Sequence, residues 1–143
     1  MSTTPEWFVT KFKLADLTVK RFENWTWSLR PTQCTLGASV LSLNRPAEAW
    51  GDLTTAENAE LAVVVAEIER RLKACFSYDK INYLMLMMVD PHVHFHVVPR
   101  YSASKVALGT EWKDANWPKP PDLAVGASDA DTLSQVLAHI QAK

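Results

Sequence analysis

Long apolar runs are missing from this chain, and so are closely spaced cysteines. No stretch approaches the roughly 20 consecutive apolar residues needed to cross a bilayer, and the opening MSTTPEWFVTKFKL lacks the basic segment and apolar core of a secretory leader. No membrane partner is expected. Cys34 and Cys75 lie far apart, neither in a Cys-x-x-Cys pair. That spacing argues against a zinc ribbon or a thioredoxin-type dithiol and points to a reduced, cytoplasmic setting, with both thiols as small buried side chains. Excess charge is missing too: 15 Lys and Arg face 16 Asp and Glu, a net charge of -1. Holding duplex nucleic acid takes a basic face that displaces many counterions, so no duplex partner is expected, while local binding of an anion stays open.

What is present is an ordinary globular composition, 48% hydrophobic and 22% charged over 143 residues. That length fits one domain over residues 1–143 with a real core. No internal repeat interrupts it.

The first twenty or so residues carry apolar side chains at several spacings and are ambiguous. From Asn24 to Arg30 the alternation of Trp25, Trp27 and Leu29 with Thr26 and Ser28 predicts a strand, ended by Pro31. A second strand is expected over Ala38 to Leu43, ended by the Asn-Arg-Pro turn. Thr54 followed by Glu57 marks a capping box, and Leu61, Val64, Val65, Ile68 and Leu72 then recur at helical spacing, predicting a helix from Thr55 to about Lys73. KINYLMLMMV, residues 80–89, reads as a central strand covered on both sides, with Met85, Met87 and Met88 filling the core. Residues 102–123 read as a surface loop. The chain closes with an amphipathic helix capped by Ser128 or Asp129, with Leu133, Val136, Leu137 and Ile140 inward and His139 solvated. Two strands, a helix, two strands and a last helix describe an α+β domain: an antiparallel sheet with a main helix and a C-terminal helix on one side. Asp90-Pro91 is expected to be a short hairpin connection.

Three of the four histidines lie in DPHVHFHVVPRY, residues 90–101, at every second position. On a helix, His94 would point away from His92 and His96. On a strand, all three share one face and Val93, Phe95 and Val97 the other. The β-branched and aromatic residues, and Pro91 just before, favour the strand. Such a wall of imidazoles has three readings. It is an exposed polar face; or a pair of its rings chelates zinc, although His92 and His96 stand roughly 13 Å apart along an extended strand and zinc requires bonds of about 2.0 to 2.1 Å; or the rings do chemistry on a phosphate. In the last reading a neutral imidazole is the nucleophile and its neighbours hold its tautomer, contact phosphoryl oxygens and handle protons. The spacing of roughly 6.6 Å per pair suits an extended phosphate chain better than a single ion.

HVHFHVVPR, residues 92–100, resembles the signature of the histidine-triad (HIT) family, His-φ-His-φ-His-φ-φ with φ apolar. LGASVLSLNRPAEAWGDLTTAENAEL, residues 36–61, is similar to the family's strand, Arg-Pro turn and main helix. The resemblance implies a HIT-like α+β fold, a homodimer, and hydrolysis or transfer of nucleoside monophosphates from phosphoramidates or dinucleoside polyphosphates through a nucleotidyl-histidine. It implies His94 as the nucleophile, with His92 and His96 as flanking partners, and an adenine-containing nucleotide as the default partner. No protein-bound metal or other cofactor is implied. The sequence departs from the family where Ala38, not histidine, follows Gly37, and where MMVDPHVH lacks the Gly-rich loop with Gln and Ser or Thr that binds phosphate. Fewer donors imply weaker transition-state stabilisation, about 10² to 10³ in rate for one lost donor.

Candidate replacements are Arg100, which is equally suited to phosphate or to a structural ion pair, and Ser28, near the position from which relatives touch the ribose. Trp25 and Trp27 are expected in the core rather than on a purine, and Asp90 is expected to shape its turn. A catalytically silent nucleotide-binding module and a zinc hydrolase stay open as alternatives. The enzyme reading needs an extended backbone between residues 92 and 96 and a cleft in front of His94.

Overall fold

The strand alternation read from the sequence becomes a sheet with two different faces. The computed structural model describes residues 3–143. Strands β1 (Thr18–Arg21), β2 (Trp25–Leu29), β3 (Ser39–Leu43), β4 (Lys80–Leu84) and β5 (His94–Arg100) form one antiparallel sheet in the order β1-β2-β3-β5-β4. Trp25, Trp27, Leu29, Leu41, Leu43, Phe95 and Val97 are buried in the main core. With side chains alternating across a strand, the intervening Thr26, Ser28, Val40, Ser42, His94 and His96 belong to the opposite face.

Helix α3 (Thr55–Phe76) covers the apolar face with Val64, Ile68, Leu72 and Phe76. Burying each such side chain contributes about 1.5–3 kcal/mol. The expected capping box is present: the Thr54 hydroxyl accepts from the Glu57 N–H at 3.1 Å, and the Thr54 N–H donates to Glu57 Oε1 at 2.8 Å. Arg45 closes a fork on the same carboxylate. Gly37 is needed where the chain enters β3: its φ is +87°, and a Cβ there would lie 3.1 Å from the Phe76 ring. Helix α4 (Ala130–Gln141), capped by Asp129, buries Leu133, Val136 and Ile140 on the same side.

Four expectations need correction. Helices do not lie on one side only: the ambiguous N-terminus folds into α1 (Glu6–Lys11) and α2 (Leu14–Leu17), and Phe8, Phe12 and Leu14 form a second apolar cluster with Val40 on the other face. Residues 80–89 are not a central strand. β4 stops at Leu84 and is the edge of the sheet, while Leu86, Met88 and Val89 are exposed. Apolar composition over that run reflects a loop beyond the edge rather than two-sided burial. Met85 and Met87 pack against the core, whereas Met88 does not. The link from β4 to β5 is residues 85–93, longer than the expected tight turn. Finally, the loop after β5 contains a small hairpin, β6 (Lys105–Ala107) and β7 (Thr110–Trp112), whose three-residue strands are too short to show periodicity.

Candidate active site

β5 lies between β3 and β4, so its histidines sit inside the sheet rather than at an edge. Ser42 stands opposite His94 and Val40 opposite His96 on β3, with Leu84 opposite His96 on β4. The regular strand begins at His94, so His92 belongs to the segment leading into it. Its ring nevertheless faces the same way: Phe8 lies 5.0 Å from the His92 ring and 5.1 Å from the His94 ring, and His94 stacks edge-on to His96 at 5.0 Å. The structure thus brings the three imidazoles together over one face.

Hydrogen bonding assigns the protons. The His94 Nδ1 atom is 2.5 Å from the His92 carbonyl. A carbonyl only accepts, so Nδ1 carries the hydrogen and Nε2 keeps a free lone pair, the form a nucleophile needs. His92 Nε2 is 2.9 Å from the Leu43 carbonyl and therefore carries hydrogen as well, leaving the buried Nδ1 without a partner among the described residues. His96 Nδ1 accepts from Arg30 Nε at 3.2 Å, which places its hydrogen on Nε2. Burial lowers all three imidazoles below the ordinary histidine range. For His96 burial comes first and the neighbouring Arg30 charge second, carrying it to about 3. All three rings are neutral near pH 7.

The same face is covered. His92 and His94 are 1% exposed and His96 7%, with Phe8 against the first two rings and Phe12 5.6 Å from His94 and 6.3 Å from His96. Lys11, at the end of α1, pairs with Asp90 in the turn before the triad. A cavity of about 810 Å³ opens beside this contact, lined by Trp7, Lys11, Glu48, Asp52, Asp90 and His92 among others. It reaches His92 but is not lined by His94 or His96. The cleft expected in front of His94 is therefore filled by two phenylalanines in this conformation. On the same face of the sheet, Ser28 Oγ and Ser42 Oγ, like His92 Nδ1, are buried without hydrogen-bond partners among the described residues. Such groups cost roughly 1–3 kcal/mol each when left unpaired.

A model of the HIT domain matches residues 40–103. This segment is a HIT domain. It runs from β3 through the end of β5, so it contains α3 and the whole triad. No curated protein matches the sequence. Among solved structures, a histidine triad protein from Bradyrhizobium japonicum is 18% identical, with 100% of this chain and 98% of that chain covered and a TM-score of 0.71. One from Sinorhizobium meliloti 1021 is 18% identical, with 98% and 96% covered and a TM-score of 0.75. A hypothetical histidine triad nucleotide-binding protein from Sulfolobus tokodaii is 16% identical, with 94% and 87% covered and a TM-score of 0.68. The HIT-like fold thus includes the N-terminal helices and the C-terminal helix outside the matched segment.

Around the HIT triad the other candidates fall into place. Ser28 lies on the histidine face, separated from His96 by Val40 of β3. Arg100 is not available as a free phosphate donor: it is buried, forked onto Asp114 at 2.6 and 3.1 Å, and donates to Asn82 Oδ1 and the Lys119 carbonyl. Its charge fastens the loop after β5 to the sheet. Trp25 and Trp27 are fully buried on the α3 face, away from the triad. Asp90 pairs with Lys11. Cys34 and Cys75 are free and only partly buried, so they are not the enclosed side chains expected. Among the described residues, no group of three or more His, Cys, Asp or Glu side chains is arranged to hold a metal ion, and no helix is long and apolar enough to cross a membrane.

Sequence reading missed Arg30, Ser42, Phe8 and Phe12. The even positions of β2 and β3 signal the first two, since they continue the parity of Thr26 and Ser28 or pair with His94. Nothing local signals that Phe8 and Phe12 land on the triad, because that contact joins residues more than eighty positions apart in the chain.

Proposed function

We propose that this HIT protein hydrolyses or transfers nucleoside monophosphates, from phosphoramidates or dinucleoside polyphosphates, through a nucleotidyl-histidine on His94. The observation that carries the reading is the proton assignment at His94: Nδ1–H is fixed on a backbone carbonyl, leaving the Nε2 lone pair free in a neutral ring. That lone pair attacks the α-phosphorus. The phosphorus–Nε2 bond forms as the bond to the leaving group breaks, and the leaving group departs with a proton from solvent. Water then attacks phosphorus, the phosphorus–Nε2 bond breaks, and the monophosphate leaves. His96 presents Nε2–H as a donor to a phosphoryl oxygen, while Ser28 and Ser42 offer hydroxyls that have no other partner among the described residues. The base is adenine by family resemblance, and the setting is cytoplasmic.

The covering phenylalanines make access conditional. Nucleotide reaches His94 only when Phe8 and Phe12 move aside, which makes turnover slow or gated. Incubation with an adenylyl phosphoramidate, quenched in base and followed by peptide mass measurement, tests this. A +AMP adduct on the peptide carrying His94 is expected, stronger in Phe12→Ala than in the natural chain and absent in His94→Ala. No adduct in the natural chain or in a folded Phe12→Ala would overturn it.

The same covering contact, with the shortened loop before His92, favours a second reading as a nucleotide-binding module without turnover. Calorimetry with AMP separates the two: binding without adduct or hydrolysis selects the module. The reading also includes a homodimer, supported by the open edge of β4 and the exposed Leu86, Met88 and Val89 beyond it. A monomer mass by light scattering removes that part.

A further inference from the structure

Arg30 is the first residue after β2, and its N–H still donates to the Ala38 carbonyl across the ladder, at 2.9 Å. Strand parity puts its side chain on the histidine face with Thr26 and Ser28. One end of the guanidinium is fixed by backbone: Nη1 donates to the Thr32 carbonyl at 3.1 Å and the Leu123 carbonyl at 2.9 Å, with Cys34 Sγ at 3.8 Å. Leu123 belongs to a segment held close to the turn after Arg30. Gln33 N–H donates to the Ala127 carbonyl at 2.8 Å, and a Cβ on Gly126 would lie 2.1 Å from the Gln33 carbonyl oxygen. With both carbonyls fixed, the remaining Nε–H points at His96 Nδ1.

A guanidinium has donors and no acceptor, and it stays charged inside proteins. The nitrogen facing it must therefore be the unprotonated one. We infer that Arg30 is a positioning residue of the triad: by donating to His96 Nδ1 it keeps that ring in the Nε2–H form, its one hydrogen turned away from Arg30 as a donor to a phosphoryl oxygen. Arg30 thereby supplies an orientation that this chain, with its shortened loop before the triad, needs from elsewhere. The assignment of the hydrogen stands on geometry alone; its use on a phosphate rests on the nucleotidyl-transfer reading. It also divides labour within the triad: His96 holds the oxyanion and does not deliver a proton as an imidazolium, because a second proton would place two cations face to face.

The test is ¹⁵N NMR of the histidine rings in the natural chain, with Arg30→Met and Arg30→Lys. In the natural chain, the His96 shifts are expected to report Nε2–H with Nδ1 as acceptor, unchanged down to about pH 4. A His96 with hydrogen on Nδ1, or one that titrates near pH 6.5, overturns the inference without any variant. In Arg30→Met the His96 tautomer becomes mixed and its titration moves upward, while Arg30→Lys restores part of the natural behaviour. A role confined to holding the Leu123 segment predicts lower thermal stability with unchanged His96 shifts, and that result also overturns it. If the adduct forms on His94, Arg30→Met slows its formation by about 10²-fold, the scale of one lost oxyanion donor. If the shifts behave as expected and no adduct forms in any variant, Arg30 positioning holds and the nucleotidyl-transfer reading fails.

Discussion

The two faces of the sheet are built from alternate residues of the same strands and do opposite work. Toward α3, the tryptophans of β2, the leucines of β3 and Phe95 and Val97 of β5 meet Val64, Ile68 and Leu72. Toward α1 and α2, the intervening residues are hydroxyls, an arginine and imidazoles, and the covering layer is mainly Phe8, Phe12 and Leu14. Each face excludes water, but only the first matches apolar with apolar. On that side Trp27 Nε1 lacks a partner among the described residues, with Arg71 lying over its ring. On the other, two serine oxygens and a histidine nitrogen are buried and left unpaired among the described residues. A face that holds polar groups at a cost is one whose covering is easier to remove.

The comparison is most sharply tested at Arg100, which shares strand parity with His94 and His96 yet is fastened to Asp114. Asp114→Ala leaves a buried arginine without its carboxylate and is expected to cost about 3–5 kcal/mol, read by denaturant unfolding. A loss under 1 kcal/mol would return Arg100 to the list of groups available to a ligand. Next comes a matched pair of truncations. Leu72→Ala, on the apolar face, should cost about 2–5 kcal/mol. Phe8→Ala removes a larger, equally buried side chain, but water then reaches the His92 and His94 rings it covers, so its cost is expected to be the smaller of the two. Reaction of the triad with diethyl pyrocarbonate, followed by peptide mass, should rise in Phe8→Ala and stay low in Leu72→Ala. Equal costs and equal labelling would erase the distinction between the faces.

The smallest effect is acid sensitivity. The folded state holds His92, His94 and His96 below their ordinary range, so the unfolded chain binds protons first as the pH falls. Their contribution to stability is complete above about pH 6.5, the ordinary histidine value, and declines as the pH drops toward the folded value, about 3 for His96. Melting temperature should therefore fall between pH 6.5 and 5, above the range where carboxylates take over. His96→Gln should flatten that slope; an unchanged slope would show that the ring is not held neutral by the fold.

Much of this was legible in the chain. The triad is three histidines at strand spacing, and α3 announces itself by Thr54, Glu57 and a helical stripe, because both are local patterns with fixed periods. The same period misled at residues 80–89, where an apolar run has no marker telling an edge and its loop from a buried centre. Arg100 stayed undecided because its partner Asp114 lies in a loop whose path is set by packing.

By itself, then, the sequence determined which residues share a side of the sheet, since alternation along an extended chain is a property of the backbone. Only the tertiary structure decided what lies over each side. The placement of Phe8 and Phe12 on the triad, of Arg30 against His96 and of Asp114 on Arg100 depends on segments distant in the chain meeting, and such meetings are settled by the collective exclusion of water from both faces at once.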